Sequence, residues 1–232
     1  MGWMPKLLLV EQGTGRRFEF PVDRALNGGW AGRDQEAVRK HIEELAAIGV
    51  PGPTRTPTLY ALSNYLVTTA DTVQVQHGKT SGEVEYVLLI GAGDEVYVTV
   101  GSDHTDRDLE TRDIEWSKQA YPNVLAPEVW RYREVADHWD ELVLRCWVVK
   151  EGERRLYQEA ALSALQPPGV WFGLLEGLFG SKRANLVVMS GTVATHGGLV
   201  YADSYDMELH DPVLRRTIRH GYRVELLREK VV

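Results

Sequence analysis

The sequence contains a single cysteine, Cys146, among its 232 residues. A lone cysteine excludes both a disulfide framework and a thiolate metal cluster. Long apolar runs are also missing, and none approaches the roughly 20 residues of a membrane-spanning helix. The first apolar run, residues 7–10, is too short for the core of a signal peptide. We therefore expect a cytoplasmic protein that does not enter a membrane.

Positive charge is scarce as well. The 26 Lys and Arg residues stand against 33 Asp and Glu residues, which gives a formal net charge of −7. Nucleic-acid binders usually carry a basic face, so we expect no nucleic-acid partner. The sequence also lacks GxGxxG after a first strand, GxxxxGK[ST], GxSxG and HExxH. These absences exclude the simplest nucleotide-binding, α/β-hydrolase and zinc-peptidase assignments.

The remaining pattern favours strands. A chain of this length that is 44% hydrophobic is able to bury a sizeable core. Because short apolar segments bounded by Gly and Pro outnumber helical stripes, the sequence predicts a strand-rich α+β fold instead of a doubly wound parallel sheet. Strands are predicted at 59–62, 72–76, 83–90, 96–101, 142–149, 155–159, 186–189, 199–201 and 222–227. Helices are predicted at 35–48, 107–118 and near 170–180.

The amino-terminal segment has its own pattern. Apolar residues 7–10 and 17–22 flank Gly13-Thr14-Gly15, which predicts a β-hairpin. A glycine-rich turn follows this hairpin. We therefore treat residues 1–29 as an N-terminal β-hairpin extension of the main domain.

The most informative stretch carries two carboxylates. Glu83 and Glu85 are two residues apart on a predicted strand, so they share one face. The strand continues into the apolar residues 87–90, and two like charges near a core are costly without a positive charge between them. Oxygen ligands without Cys or paired His favour Mg²⁺, Mn²⁺ or Ca²⁺ over zinc. Asp103, after the next strand, is a third candidate ligand; a solvated strand face and a helix cap are the alternative interpretations.

The segment 82–107 resembles the fumarylacetoacetate hydrolase superfamily. That family carries E-x-E on an apolar strand, a hairpin and a motif similar to G-N-D-x-S/T-A-R-D. The matching motif here is Gly101-Ser102-Asp103-His104-Thr105-Asp106-Arg107-Asp108. Further matches are Trp116 and Lys118, Glu151-Gly152-Glu153 with Gln158, Gly191-Thr192-Val193, and Gly32-Arg33-Asp34 before a helix. The resemblance covers roughly residues 30–227 and implies a mixed β-roll with few helices, in a catalytic domain at 30–232.

A bacterial branch of this superfamily, DUF2848, is more similar still. The shared segments are Trp30-Ala31-Gly32-Arg33-Asp34, His41-Ile42-Glu43-Glu44-Leu45 and Gly49-Val50-Pro51. The chain departs from the superfamily pattern at Ser102, where the family has Asn, and at Asp106, where it has a small residue. Val193 replaces a proline. These changes leave the acidic ligands intact and alter the expected substrate pocket.

The resemblance also implies a chemistry. Superfamily members commonly cleave a carbon–carbon bond in an acylpyruvate-like 1,3-diketone, or decarboxylate or hydrate a related 2-oxo acid. Glu83, Glu85 and Asp103 would then hold Mg²⁺ or Mn²⁺, with Ca²⁺ as an alternative. In relatives, a His–Glu pair on a lid helix activates water. His41 and Glu44 are three apart on predicted helix 35–48 and share a face, so they are candidates for this role.

Lys118 is a third catalytic candidate, and four other residues are candidates for substrate contact. Lys118 would hold a carboxylate or a developing oxyanion, with a solvated helix end as the alternative. Arg33 and Arg107 would clamp a carboxylate or pair with local acids. Thr192 would donate to the substrate or form a turn, and Gln158 is a weaker candidate for the same pocket.

Three functions follow from these assignments. The first is a divalent-metal hydrolase that cleaves a carbon–carbon bond in a small 2-oxo acid. The second is a metal-dependent lyase, either a decarboxylase or a hydratase/dehydratase, and the third is a non-catalytic protein of the same fold that binds small acids. Because relatives are often dimers, we also expect a homodimer. His104 adjoins Asp103 but should point to the opposite face, so we predict a structural role for it.

Overall fold

The computed structural model describes residues 4–47, 52–93 and 95–227. In these ranges the strands are β1 (Lys6–Glu11), β2 (Arg16–Pro21), β3 (Arg24–Gly29), β4 (Thr58–Leu62), β5 (Val67–Thr68), β6 (Thr72–Val75), β7 (Thr80–Ile90), β8 (Val96–Asp106), β9 (Asn123–Leu125), β10 (Glu128–Arg131), β11 (Val143–Lys150), β12 (Glu153–Ala161), β13 (Leu186–Met189), β14 (Ser204–Asp211) and β15 (Arg216–Leu226). The α-helices are α1 (Gln35–Ala47), α2 (Arg107–Glu110), α3 (Ile114–Gln119) and α4 (Pro168–Phe179). Strands dominate, which confirms the predicted strand-rich α+β class.

Two sheets form the body of the protein. The larger sheet has the order β2-β1-β10-β8-β7-β13-β3-β4, and β9 pairs with both β8 and β5. The smaller sheet has the order β12-β11-β14-β15-β6. Both sheets mix parallel and antiparallel neighbours, as the β-roll prediction requires. None of the described helices has the length and apolarity to cross a bilayer.

The central hairpin of β7 and β8 is buried on both faces. One face of β7 carries Val84, Tyr86 and Leu88, which pack in the core that includes residues of the smaller sheet. The other face carries Val87 and Leu89, which pack in a second cluster with residues of β1, β2 and β13. Burial on both faces explains why the apolar run has no alternation, because neither face meets water.

The amino-terminal strands belong to the larger sheet. The predicted hairpin is confirmed as the antiparallel pair β1 and β2. Strand β1 also runs parallel to β10, and β3 lies between β13 and β4. The division of the chain at residue 30 stays a prediction.

Two secondary-structure predictions are wrong. The helix predicted at 107–118 is interrupted between α2 and α3, because Asp106 and Asp113 each accept hydrogen bonds from backbone N–H groups and cap separate helices. Residues 199–201 form no strand. There the Tyr205 hydroxyl donates to the Val200 carbonyl at 2.8 Å and so replaces a ladder partner. The strand in this region, β14, begins later, at Ser204.

A close backbone approach between β3 and the segment after β13 gives a stability prediction. A Cβ atom on Gly28 would lie 2.8 Å from both the carbonyl carbon and the oxygen of Ser190. We expect Gly28→Ala to lower the free energy of unfolding by about 1–3 kcal/mol, as overpacking does. Gly173→Ala is the control, because a Cβ atom there would have no described residue within 4 Å beyond its own helix backbone, and alanine in a helix gains about 0.5–1 kcal/mol over glycine. Urea unfolding measures the stability of both variants. A Gly28→Ala variant as stable as the wild-type protein would contradict the prediction.

Candidate metal centre

Three carboxylates converge where β7 and β8 pair. Glu83 lies directly opposite Asp103 in the strand register, and Glu85 is two residues further along β7 on the same face. One carboxylate oxygen from each residue lies within 4.8 Å of the other two. We call Glu83, Glu85 and Asp103 the acidic triad.

Each member of the acidic triad has one neighbour that fixes it. The backbone N–H of Gly191 donates to Glu85 Oε2 at 2.8 Å. The Lys118 ammonium donates to Asp103 Oδ2 at 2.5 Å, and Arg107 Nη2 lies 2.9 Å from Glu83 Oε1. These contacts hold the three carboxylates in place without closing the space between them.

The remaining oxygens of the two deepest carboxylates support a metal site. Glu85 and Asp103 are fully buried, yet Glu85 Oε1 and Asp103 Oδ1 have no hydrogen-bond partner among the described residues. Leaving a buried acceptor without a partner costs about 1–3 kcal/mol, and more when it is charged. A cation between these oxygens removes that cost. The donors are all hard oxygens, which suits Mg²⁺, Mn²⁺ or Ca²⁺.

The local charges point to a dication. The acidic triad and Glu110 supply four carboxylates, whereas Lys118 and Arg107 supply two cations that contact them. Two negative charges are left over when all these groups are ionised. A divalent ion would neutralise the cluster, and the acidic triad is therefore a group that could hold one.

The pKa shifts follow from burial and from this imbalance. Burial raises the pKa of Glu85 well above its ordinary value, and neighbouring Asp103 adds to the rise. Burial would also raise the pKa of Glu83, but Arg107 and Lys118 outweigh it and lower that pKa. Burial would lower the pKa of Lys118, yet the acidic triad raises it. Lys118 therefore stays positively charged, whereas a cation beside Glu85 would favour the ionised form of that carboxylate.

A cavity of about 830 Å³ opens in front of the acidic triad. Glu83, Glu85 and Lys118 line it, together with Thr192 and Glu110. The structure thus brings one predicted catalytic residue, Lys118, and one predicted substrate contact, Thr192, to the same space as two of the three predicted metal ligands. This volume is within the range of small-molecule sites.

Thr192 and Gln158 form one structural unit. The Gln158 side chain accepts from Val84 N at 3.0 Å and donates to Thr192 Oγ1 at 2.8 Å and to the Val193 carbonyl at 2.6 Å. Thr192 in turn donates to the Val84 carbonyl at 2.7 Å. Gln158 is fully buried, so it fixes the turn that carries Thr192 into the cavity.

The two arginines have other partners. Arg33 makes a double contact with Asp140, at 2.6 and 2.7 Å, and donates to the Leu165 carbonyl. Arg107 contacts Glu83, Glu110 and the Ser81 hydroxyl. Among the described residues, the cavity lining includes neither arginine. Arg107 instead holds Glu83 of the acidic triad in place. Direct substrate contact by either arginine stays a prediction.

The predicted water-activating pair lies on α1. The backbone of α1 is described, but the side chains of His41 and Glu44 lie outside the described part of the structure. Asp34, Ala37 and Val38 at the start of α1 line the cavity. The role of His41 and Glu44 stays a prediction.

The face of β8 opposite the acidic triad is structural. His104 is buried between Tyr222 Oη at 3.0 Å and Thr80 Oγ1 at 2.9 Å, and burial lowers its pKa to about 3. Asp106 caps α2 and contacts His77 at 2.9 Å. The additional negative charge at Asp106 is therefore used for capping.

Sequence reasoning missed several residues of the site. Trp30 and Tyr60 line the cavity, as does Glu110, and Gly191 holds Glu85 through its backbone. Trp30 stands in the glycine-rich segment before α1, which was a usable signal. Nothing in the sequence near Tyr60 or Glu110 marks them, because their positions depend on strand order and on the break after α2.

Comparison with known proteins identifies the family. Residues 28–222 match the protein family of unknown function DUF2848. The chain belongs to this family. No curated protein matches the sequence of this DUF2848 member.

Solved structures confirm the predicted fold of the fumarylacetoacetate hydrolase superfamily. A proposed fumarylacetoacetate isomerase/hydrolase from Oleispira antarctica superposes with a TM-score of 0.65 at 18% identity, over 93% of this chain and 98% of that one. A proposed fumarylacetoacetate hydrolase family protein from Yersinia pestis CO92 gives 0.57 at 17% identity, over 94% and 100%. A 2-keto-3-deoxy-D-arabinonate dehydratase complexed with magnesium and 2,5-dioxopentanoate gives 0.57 at 17% identity, over 88% and 73%.

Proposed function

We propose that this DUF2848 protein is a divalent-metal-dependent hydrolase that cleaves a carbon–carbon bond in an acylpyruvate-like 2-oxo acid. The observation that carries the proposal is the acidic triad, in which two buried oxygens have no partner among the described residues, beside a cavity that Glu83, Glu85 and Lys118 line. Mg²⁺ or Mn²⁺ suits these donors. The dehydratase of the same fold that is complexed with magnesium and 2,5-dioxopentanoate supports the proposal of a divalent ion and an oxo acid.

The reaction requires few protein groups. Water adds its oxygen to the acyl carbonyl carbon, the adjacent carbon–carbon bond breaks, and the departing enolate takes a proton to become pyruvate. The bound dication would act as a Lewis acid toward the oxo acid. Lys118, held by Asp103, places a permanent positive charge where negative charge develops. In this proposal His41, oriented by Glu44, removes the proton from water.

A metal-dependent lyase is the second candidate. The specific observation in its favour is the likeness to the magnesium-bound dehydratase. A lyase would use the same acidic triad and Lys118, and it would not need His41 and Glu44 to activate water for attack on a carbonyl. A homodimer is retained as part of both proposals, and sedimentation analysis would test it.

One set of assays distinguishes the hydrolase from the lyase. With Mg²⁺ or Mn²⁺ present, we expect acetylpyruvate to be cleaved, seen as loss of its enol absorbance, and chelation with EDTA to stop the reaction. Release of CO₂ from oxaloacetate without cleavage of any acylpyruvate would favour the lyase. Binding of oxalate without turnover of either compound would favour a non-catalytic protein that binds small acids.

A further inference from the structure

One wall of the cavity is aromatic and apolar. Trp30 and Tyr60 both line it, and the Trp30 indole N–H donates to Tyr60 Oη at 3.2 Å. Val38, Ile114 and Leu199 extend the apolar surface beside them. We call Trp30 and Tyr60 the aromatic wall.

Two strands, β13 and β3, lie between the strand that carries Glu83 and Glu85 and the strand that carries Tyr60. Tyr60 belongs to β4, and the sheet order from the triad is β7-β13-β3-β4. At about 4.8 Å per strand, β4 lies up to roughly 14 Å from β7 along the sheet. Because both groups line one cavity, a molecule whose oxo-acid end meets the triad and whose other end extends toward β4 would reach the aromatic wall.

The backbone at residues 29 and 30 has features that accommodate the two rings of the aromatic wall. Trp30 has φ = 56°, in the left-handed region that a bulky side chain rarely adopts and that costs of order 1 kcal/mol or more. Gly29 leaves room for the neighbouring ring, because a Cβ there would lie 2.5 Å from Tyr60 Cε2. Strain at a cavity-lining position is typical of functional sites.

The charges of the lining disfavour a second acid group. Among the described lining residues the only cation is Lys118, and its ammonium contacts Asp103. Asp34 and Glu110 add negative charge to the lining. Arg33 is nearby in sequence but contacts Asp140. A second carboxylate on the substrate would thus meet no described partner, whereas a neutral ring would meet Trp30 and Tyr60.

We infer that the substrate carries a neutral, aromatic or bulky apolar acyl arm, as in an aroylpyruvate, and that Trp30 and Tyr60 determine this specificity. The inference rests on the proposed function, because the acidic triad must receive the oxo-acid end. Short acyl groups and acyl groups ending in a carboxylate are the disfavoured classes.

Calorimetric binding of two unreactive analogues tests the inference without turnover. Oxamate reports on the oxo-acid end alone, and N-benzyloxamate adds a neutral ring at the two-atom spacing of an aroylpyruvate. With Mg²⁺ present, we expect N-benzyloxamate to bind wild-type protein about 10–100-fold more tightly than oxamate, as burial of an aromatic ring predicts. Trp30→Ala should remove most of this difference and leave the affinity for oxamate unchanged. Trp116→Ala is the matched control, because Trp116 is 66% exposed.

The outcomes are distinguishable. If oxamate binds with Mg²⁺ but the benzyl group adds no affinity, the inference is wrong and the proposed function stands. If neither analogue binds in the presence of Mg²⁺, the proposed function and the inference both fail. Retention of the full preference in folded Trp30→Ala would also overturn the inference. The wild-type comparison keeps the test valid if that variant does not fold.

Discussion

Replacement of Glu85 by Gln is expected to abolish the rise in melting temperature that Mg²⁺ or Mn²⁺ gives the wild-type protein. The variant keeps the shape of the side chain but cannot carry the negative charge that the proposed ligand, which is fully buried, would offer to the ion. Without metal, the variant should be at least as stable as wild type, because burial and Asp103 both disfavour the ionised form of Glu85. The two effects have opposite signs, so general damage to the fold does not imitate them.

The size of the wild-type effect follows from mass action. Metal at about 100 times its Kd stabilises the folded state by about 2.7 kcal/mol, which is about 5–10 °C for a chain of this size. Differential scanning fluorimetry with and without metal measures it. Glu159→Gln is the control, since Glu159 is a partly exposed carboxylate that contacts Arg145 in the smaller sheet. A full metal response in Glu85→Gln would exclude Glu85 as a ligand.

Replacement of Lys118 by Met is expected to lower kcat for acylpyruvate cleavage by about 10²–10³, the usual effect of removing one electrostatic group from an active site. The same variant should lose stability without metal, because Asp103 then keeps a buried charge without its cation. Added Mg²⁺ should stabilise this variant more than it stabilises wild type, because fewer positive charges oppose the ion.

Steady-state kinetics and melting curves with a Mg²⁺ titration measure the two responses. Lys79→Met is the control, because Lys79 is exposed and pairs with Asp108 at the surface. Wild-type kcat in Lys118→Met would remove Lys118 from the mechanism. Loss of metal stabilisation in this variant would instead show that Lys118 is needed to hold Asp103 in its position for the ion.

The acidic triad was accessible from the sequence because strand geometry is simple. A spacing of two fixes the shared face of Glu83 and Glu85, and a short hairpin between two apolar strands brings Asp103 opposite Glu83. The helix over 35–48 and the strand at 186–189 were also predictable, because their apolar patterns are continuous. That these three carboxylates bind a metal ion, by contrast, remains part of the proposed function.

The rest of the site depends on contacts between distant segments. Arg33 turns toward Asp140, a residue far along the chain, and no local pattern announces that pair. Tyr60 reaches the cavity because β4 is the last strand on its side of the sheet. The aromatic wall therefore required the strand order, whereas the acidic triad required only one hairpin.

The parallel pairing of β3 with β13 has a consequence for synthesis in the cell. Leu26 pairs with Val188, and the two strands deliver Gly28 and Gly191 to the same end of the cavity. Gly191 also supplies the amide that holds Glu85. Such distant closure is slow relative to local folding. A nascent chain that has not yet emerged beyond residue 191 thus has the whole acidic triad but not the pocket, so the proposed ion site would be completed late in synthesis.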